Sequence, residues 1–380
     1  MKVLYVGSDA LATGASFSML KLIEEFDKRS DLTVVPVVHE GNTEKVLHKN
    51  NRTHYVVNAQ SWIYKRKYSG FRKIGIIIAK TVLNIPCYFK YLRIIELEKP
   101  DIIHINSLTT YVIAKAAIRR GIPLVWHIRE MIEEDFDCEL WNKKFANRLF
   151  KKTDRFIAIS ECVKKKYSKV IGEEKVTKIY NGVDTTNYVD IEHVILNKST
   201  VIISMAGRIN ENKGQLQCLR ELIPVLQERR NVIVQFAGEG TDDEIDKINR
   251  LIHSANINEQ RVRLLGFLTD MRELWKNTDI AIVYSKYEAF GRVTIEAKMG
   301  GALVVGYNSG GTTELIENGV DGYLFGNGYK SLKETVELIL MNPRQASTVA
   351  VQGREKAKTV FTSENNAIQI ERLYKEILDK

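Results

Sequence analysis

Two carboxylates eight residues apart, Glu288 and Glu296, stand either side of Gly291 in a stretch that follows a strand pattern, Asp279–Tyr284. Gly291 marks the turn into a helix whose first free amides include those of Val293 and Thr294. Such donors, with the positive end of the helix dipole, suit a diphosphate. Glu296, one to two turns in, can reach a pair of ribose hydroxyls. Glu288 lies at the carboxyl end of its strand, where open α/β sheets bind ligands. The competing reading is a helix-capping Glu288 and a solvated Glu296.

A second cluster points the same way. The strand pattern Val201–Met205 ends in Gly207 and Arg208, and Lys213-Gly214 precedes a helix. A guanidinium and an ammonium converging beyond a sheet would neutralise a diphosphate as charge develops on it. Familiar alternatives fail. The lysine of Gly207–Gly214 is followed by glycine rather than serine or threonine, so there is no nucleotide-hydrolase P-loop. Gly238-Glu239-Gly240 runs on into Thr-Asp-Asp, which breaks the dinucleotide fingerprint. The seven histidines show no metal spacing. The one Asp-x-Asp, Asp135-Phe136-Asp137, could chelate a divalent ion, but its acidic, loop-like setting reads as solvated surface. No bound metal is expected.

These residues must be positioned by elements that alternate along the chain. β-branched runs expected as strands are Val3–Val6, Thr33–Val38, Tyr55–Val57, Ile102–Ile105, Leu124–His127, Phe156–Ile159 and Lys178–Tyr180. Val201–Met205, Val232–Phe236, Val262–Leu265, Ile280–Tyr284 and Leu303–Gly306 follow. Several are almost wholly apolar, as strands covered on both faces are, and helical patterns separate them. Parallel sheets joined by right-handed crossovers follow. A polar break after Asn181-Gly182-Val183-Asp184 divides the chain into a Rossmann-like domain over 1–184, a linker over 185–200 and a second Rossmann-like domain over 201–362. A last helix over 363–380 is expected to return toward the first domain.

The whole chain has 380 residues, 44% hydrophobic and 27% charged, which suits two ordinary cores and excludes a disordered chain. Four scattered cysteines fit a reducing cytosol and exclude a disulfide scaffold. No apolar run is long enough to span a membrane.

Together, Arg208, Lys213-Gly214 and Glu288-x-Phe290-Gly291-x-x-x-x-Glu296 resemble the retaining glycosyltransferases of family 4, with the GT-B fold. Ser160, Asn181–Asp184, Gly238–Gly240, Gly266-Phe267 and Gly310–Glu314 extend the likeness over most of the chain. The resemblance implies two Rossmann-like domains with a cleft between them, the first for the acceptor and the second for a nucleotide-sugar donor. It gives Arg208 and Lys213 the diphosphate, aided by Val293 and Thr294, and gives Glu296 the ribose. Glu288 takes the transferred sugar, with Ala289, Phe290, Gly291 and Arg292 around it, and Phe267 and Leu268 border the base. His127 matches the family's histidine near the reacting carbon, and Thr13-Gly14 its glycine-rich loop. Departures are Thr13 for a glycine, Ala289 for the commoner glycine, Arg292 for an aliphatic residue, and Ile128-Arg129-Glu130 after His127. Arg292 is open between a phosphate contact and solvent. The implied activity is retaining, metal-independent sugar transfer to a glycan or lipid-linked acceptor in bacterial surface polysaccharide synthesis. A sugar-nucleotide epimerase, a phosphorylase or a non-catalytic binding protein are the alternatives.

Charge adds a partner. Of the net +9, the segment Ser61–Ile95 carries +8: Lys65, Arg66, Lys67, Arg72, Lys73, Lys80, Lys90 and Arg93, with no acidic residue. Interleaved with Trp62, Tyr64, Tyr68 and Phe71, it reads as an anchor on anionic lipid. Pro86 is expected to interrupt its helix. No nucleic-acid signature accompanies the charge. A peripheral place at the inner face of the cell membrane follows, against the plainer reading of a solvated helix.

Overall fold

The computed structural model describes residues 1–7, 14–188 and 199–379. Thr13 and linker residues 189–198 lie outside them. The chain forms two units, Met1–Gly182 with Ser363–Lys380, and Val183–Thr362.

The N-terminal unit holds seven strands in the order Tyr55–Val56, Thr33–Val38, Lys2–Val6, Ile102–Ile105, Leu124–Ile128, Arg155–Ala158, Val176–Lys178, every neighbouring pair parallel. The C-terminal unit holds six, again all parallel: Val262–Leu264, Val232–Ala237, Val201–Ala206, Ile280–Val283, Leu303–Tyr307, Tyr323–Phe325. This is the α/β, GT-B type of fold. In each sheet the strand order reverses once, between Lys2–Val6 and Ile102–Ile105, and between Val201–Ala206 and Ile280–Val283. The carboxyl ends at such a reversal leave a crevice.

Burial explains the strand sequences. Ile102, Ile103, Ile105, Leu124, Val125 and Trp126 are covered on both faces, so nothing polar is required for solvent. The terminal helix Ser363–Leu378 belongs to the N-terminal core, where Ala367, Ile370 and Tyr374 pack with Met19, Leu22 and Phe26.

Three strands were not expected, and two expected elements differ. Ile63–Lys65 and Cys138–Leu140 form an antiparallel pair, and Tyr323–Phe325 is the edge strand of the second sheet. Three-residue strands carry too little pattern to be seen. The expected strand at Lys178–Tyr180 lies two residues earlier, because Val176 takes the position opposite Phe156. The acidic stretch is a short helix, Ile132–Phe136, rather than a loop.

The basic segment differs most. Its helix runs unbroken over Gly70–Glu98, through Pro86. Pro86 and Val82 both lie on the exposed side, so water can satisfy the carbonyl that proline leaves without a donor. Trp62 and Tyr64, expected at a lipid surface, are buried. Trp62 Nε1 donates to the Leu108 carbonyl at 2.6 Å, and its indole stacks on Tyr111 and Trp126. They are core residues.

Candidate functional site

The C-terminal unit gathers the sequence's cations and carboxylates at its strand-order reversal. Val201–Ala206 ends at Gly207 (φ +133°), whose carbonyl would lie 2.1 Å from a Cβ on Gly238. Only glycine at 238 permits that approach. The turn delivers Arg208 to solvent, with no ion pair among the described residues. Lys213 closes the same loop, its amide donating to Asn210 Oδ1 at 2.9 Å. Its ammonium lies 2.8 Å from Glu288 Oε2, the two side chains 35% and 18% exposed. Glu288 comes from the neighbouring strand, Ile280–Val283, so the pair spans the reversal point. The Glu288 carbonyl accepts from Gly311 at 2.7 Å, fixing the loop.

Gly291 (φ +100°) caps the helix Arg292–Met299. The Thr294 amide already donates to the Gly291 carbonyl at 3.0 Å, while the Val293 amide has no acceptor among the described residues. Val293 is therefore the more open anion donor of the two. Arg292 does not simply face solvent: its guanidinium pairs with Glu296 Oε1 at 3.0 Å, one turn on. Tyr188, missed in the sequence, is buried near Glu296 and Arg292, and burial followed by the Glu296 charge pushes its phenol upward. Its polar surroundings had no sequence signal. The loop after Val262–Leu264 is held where the Gly266 carbonyl accepts from Gly238 at 2.8 Å, leaving Phe267 exposed and Leu268 half-buried. Ala289 and Phe290 are buried. Thus Arg208, Lys213, Glu288 and the Arg292 helix all belong to one end of one sheet.

His127 and Gly14 belong to the N-terminal unit. Gly14 is exposed and opens the helix Gly14–Asp27. The next residue's carbonyl accepts from Asn106 Nδ2 at 3.1 Å, which ties this helix start to the carboxyl end of Ile102–Ile105. His127 is wholly buried at the end of Leu124–Ile128. The residues after it, where the sequence departs from the family pattern, are also buried. Arg129 donates to Asn106, Asn181 and the Tyr5 hydroxyl. Glu130 accepts from the Ser107 hydroxyl at 2.6 Å and the Leu108 amide at 2.7 Å. Burial pushes its carboxyl up to about 7 against those hydrogen bonds. Their strand-end position was the available signal for Arg129 and Glu130.

Asp135 and Asp137 are occupied locally. Asp135 Oδ2 accepts from the Met131 amide at 2.8 Å, and Asp137 is the left-handed cap of the short helix. Glu133 and Glu134 share Lys166.

The helix Gly70–Glu98 exposes Phe71, Ile74, Ile78, Val82, Ile85 and Phe89, at steps of three or four residues. Phe71 is 94% exposed. Two cations expected at the surface are used internally: Lys80 bonds Ser61 and the Ile63 carbonyl, and Lys73 the Tyr64 hydroxyl. No helix among the described residues is long and apolar enough to cross a membrane.

Comparison with known proteins agrees with this arrangement. The family Glycosyltransferase Family 4 matches residues 13–187, and Glycosyl transferases group 1 matches residues 190–356. The capsular polysaccharide biosynthesis glycosyltransferase CapM of Staphylococcus aureus is 26% identical over 247 residues, 60% of this chain and 63% of CapM. The UDP-Gal:alpha-D-GlcNAc-diphosphoundecaprenol alpha-1,3-galactosyltransferase of Escherichia coli is 24% identical over 255 residues, 61% of this chain and 64% of that enzyme. The matches therefore span less than two thirds of these relatives. The crystal structure of Anabaena HepE in complex with UDP superposes with a TM-score of 0.80 at 23% identity, covering 99% of this chain and 100% of HepE. With two family matches accounting for nearly all of both units, and the fold matching throughout, the chain belongs to the GT-B glycosyltransferases of the family 4 type.

Proposed function

We propose that the protein is a retaining, metal-independent glycosyltransferase that moves a sugar from a nucleotide-sugar to a glycan or lipid-linked acceptor. The observation that carries this reading is the Lys213–Glu288 pair at the strand reversal, with the exposed Arg208 guanidinium on the Lys213 loop. The donor diphosphate would sit against Arg208, Lys213 and the Val293 and Thr294 amides. Glu296 would take the ribose, and Phe267 and Leu268 would border the base. Glu288 would hold the sugar hydroxyls, within a loop built by Ala289, Phe290 and Gly291.

As the bond from the anomeric carbon to the diphosphate oxygen lengthens, negative charge grows on that oxygen. Two preorganised cations stabilise it there. The acceptor hydroxyl attacks the same face of the anomeric carbon and passes its proton to the departing diphosphate, which retains configuration. A carboxylate nucleophile is not needed. Since Asp135 is engaged with its own helix, the Asp-x-Asp is poorly suited to chelation.

The N-terminal unit would bind the acceptor, with Gly14 and His127 on its ligand-facing edge. The relative from Escherichia coli acts, by its name, on a diphosphoundecaprenol-linked sugar, and CapM serves capsular polysaccharide biosynthesis. Both support a lipid-linked acceptor and bacterial surface polysaccharide synthesis. An acceptor of that kind suits a cytoplasmic protein held at the inner membrane face by the basic segment Ser61–Ile95.

The test is a thermal-shift screen against UDP-, GDP-, ADP- and dTDP-sugars, followed by turnover with the stabilising donor. A donor that binds the folded chain raises its melting temperature by mass action. NMR of the product should show the donor's anomeric configuration, with turnover unchanged by EDTA. An inverted product, or activity lost to EDTA and restored by Mn²⁺, would overturn the corresponding part of the mechanism.

A further inference from the structure

Three side chains from distant parts of the sequence form a buried chain in the N-terminal unit. The Tyr374 hydroxyl, from the terminal helix, meets His104 Nδ1, and His104 Nε2 lies 3.2 Å from His127 Nδ1. None of the three has exposed surface. His127 Nε2 ends the chain, buried and without a hydrogen-bond partner among the described residues. A neutral imidazole carries one proton on two nitrogens, so the polarity set at one end of this chain dictates the other.

Both rings are neutral, because burial and then the Arg129 charge hold them well below the usual histidine range. Tyr374 keeps its proton, since burial raises its phenol. Among the described residues its hydroxyl has one hydrogen-bond partner, His104 Nδ1. Either polarity leaves one buried proton without an acceptor among the described residues, on the Tyr374 hydroxyl if it accepts or on His127 Nε2 if it donates. Only the His127 proton, near the carboxyl end of its strand, can be satisfied by a ligand oxygen. Tyr374 therefore donates to Nδ1. His104 must then carry its proton on Nε2 and donate to His127 Nδ1, which leaves the His127 proton on Nε2.

We propose that Tyr374, acting through His104, fixes His127 as the Nε2–H tautomer, so that His127 donates a hydrogen bond to an oxygen of the bound substrate. Tyr374 and His104 are positioning residues; that His127 touches substrate rests on the function proposed above. The polarity has a consequence for recognition. An Nε2–H can bind a phosphate, ring or hydroxyl oxygen, whereas a bare Nε2 would accept only from a hydroxyl.

The test is long-range ¹H–¹⁵N correlation spectroscopy of the full chain labelled at histidine nitrogen, with His127→Gln identifying the His127 signals. Wild type should show a protonated Nε2 and a bare Nδ1. Tyr374→Phe removes the donor and keeps the ring. The ratio of Nε2–H to Nδ1–H at His127 should fall about fivefold, the factor carried by one ordinary hydrogen bond. Turnover should fall in proportion to the Nε2–H population lost. A wild-type His127 protonated on Nδ1 overturns the proposal without any variant having to fold, and so does an unchanged ratio in folded Tyr374→Phe. A shifted ratio with turnover unmoved would remove His127 from the substrate and sink the positioning role. If wild type turns over no nucleotide-sugar, the functional reading fails while the spectra still decide the tautomer.

Discussion

The two units share one sheet design and use its carboxyl edge in opposite ways. In the C-terminal unit the strand ends carry charge within reach of solvent: Arg208 exposed, Lys213 and Glu288 paired and partly open. In the N-terminal unit the corresponding edge is buried. His104 and His127 are neutral there, and the buried Arg129 rests on amides and a phenol rather than a carboxylate. That unit places its charge outside, on Ser61–Ile95. A common fold thus sets where the strand ends lie, while the residues just past each strand decide whether that edge carries open charge or buried neutral groups.

The largest expected effect would sharpen this contrast at the outer face. In the proposed anchor, the exposed stripe from Phe71 to Phe89 would supply apolar contact, and the cations around it attraction to anionic lipid. Even four effective cations would give about 4 kcal/mol, roughly a thousandfold enrichment at the surface. Co-sedimentation should favour vesicles with anionic lipid over zwitterionic ones and weaken as salt rises. Lys65/Arg66/Lys67→Glu and Ile78→Asp should each reduce binding. Wild type indifferent to lipid charge, or both variants binding as wild type does, would make this helix an ordinary solvated one.

At the C-terminal edge, Arg208→Ala and Lys213→Ala should each lower turnover by about 10²-fold or more, the scale of losing a preorganised charge stabiliser. Circular dichroism and melting temperature would establish that each variant is folded. Near-normal turnover in both would break the assignment of this edge to the diphosphate.

The sequence was most readable where chemistry and element coincide. Gly207, Arg208, Lys213, Glu288 and Gly291 lie within a few residues of strongly apolar strands, so their shared edge followed from spacing alone. Ser61–Ile95 was readable in charge but not in aspect. Nothing local distinguishes Trp62, which fills the core against Trp126, from Phe71, which faces water, because the partners that bury Trp62 lie 46 residues or more away in the chain. Pro86 misled for a related reason: a proline is tolerated within a helix when its orphaned carbonyl faces water, and facing is a tertiary property. Tyr374 meets His104 across 270 residues, a contact no spacing rule reaches.

The smallest effect concerns Glu130, a buried carboxyl at the neutral edge, and it is a change of slope with pH rather than a loss of rate. Its pKa rises from 4.5 to about 7 on folding, chiefly through burial. Below pH 4.5 the group is protonated in both states and its full contribution to stability is present. As pH climbs toward 7 the unfolded chain ionises first, which draws the equilibrium away from the folded state. Beyond about 7 both states are ionised and the loss levels off. Glutamine keeps an oxygen to accept from Ser107 and Leu108 but cannot ionise. Glu130→Gln should therefore flatten the decline in stability between about pH 4.5 and 7, with a difference of order 1–3 kcal/mol accumulated across that window. Urea unfolding of wild type and variant at half-unit pH intervals would measure it. Parallel stability curves would mean that Glu130 is no harder to ionise in the fold than in the unfolded chain, and that this edge is as open to water as the Lys213–Glu288 one.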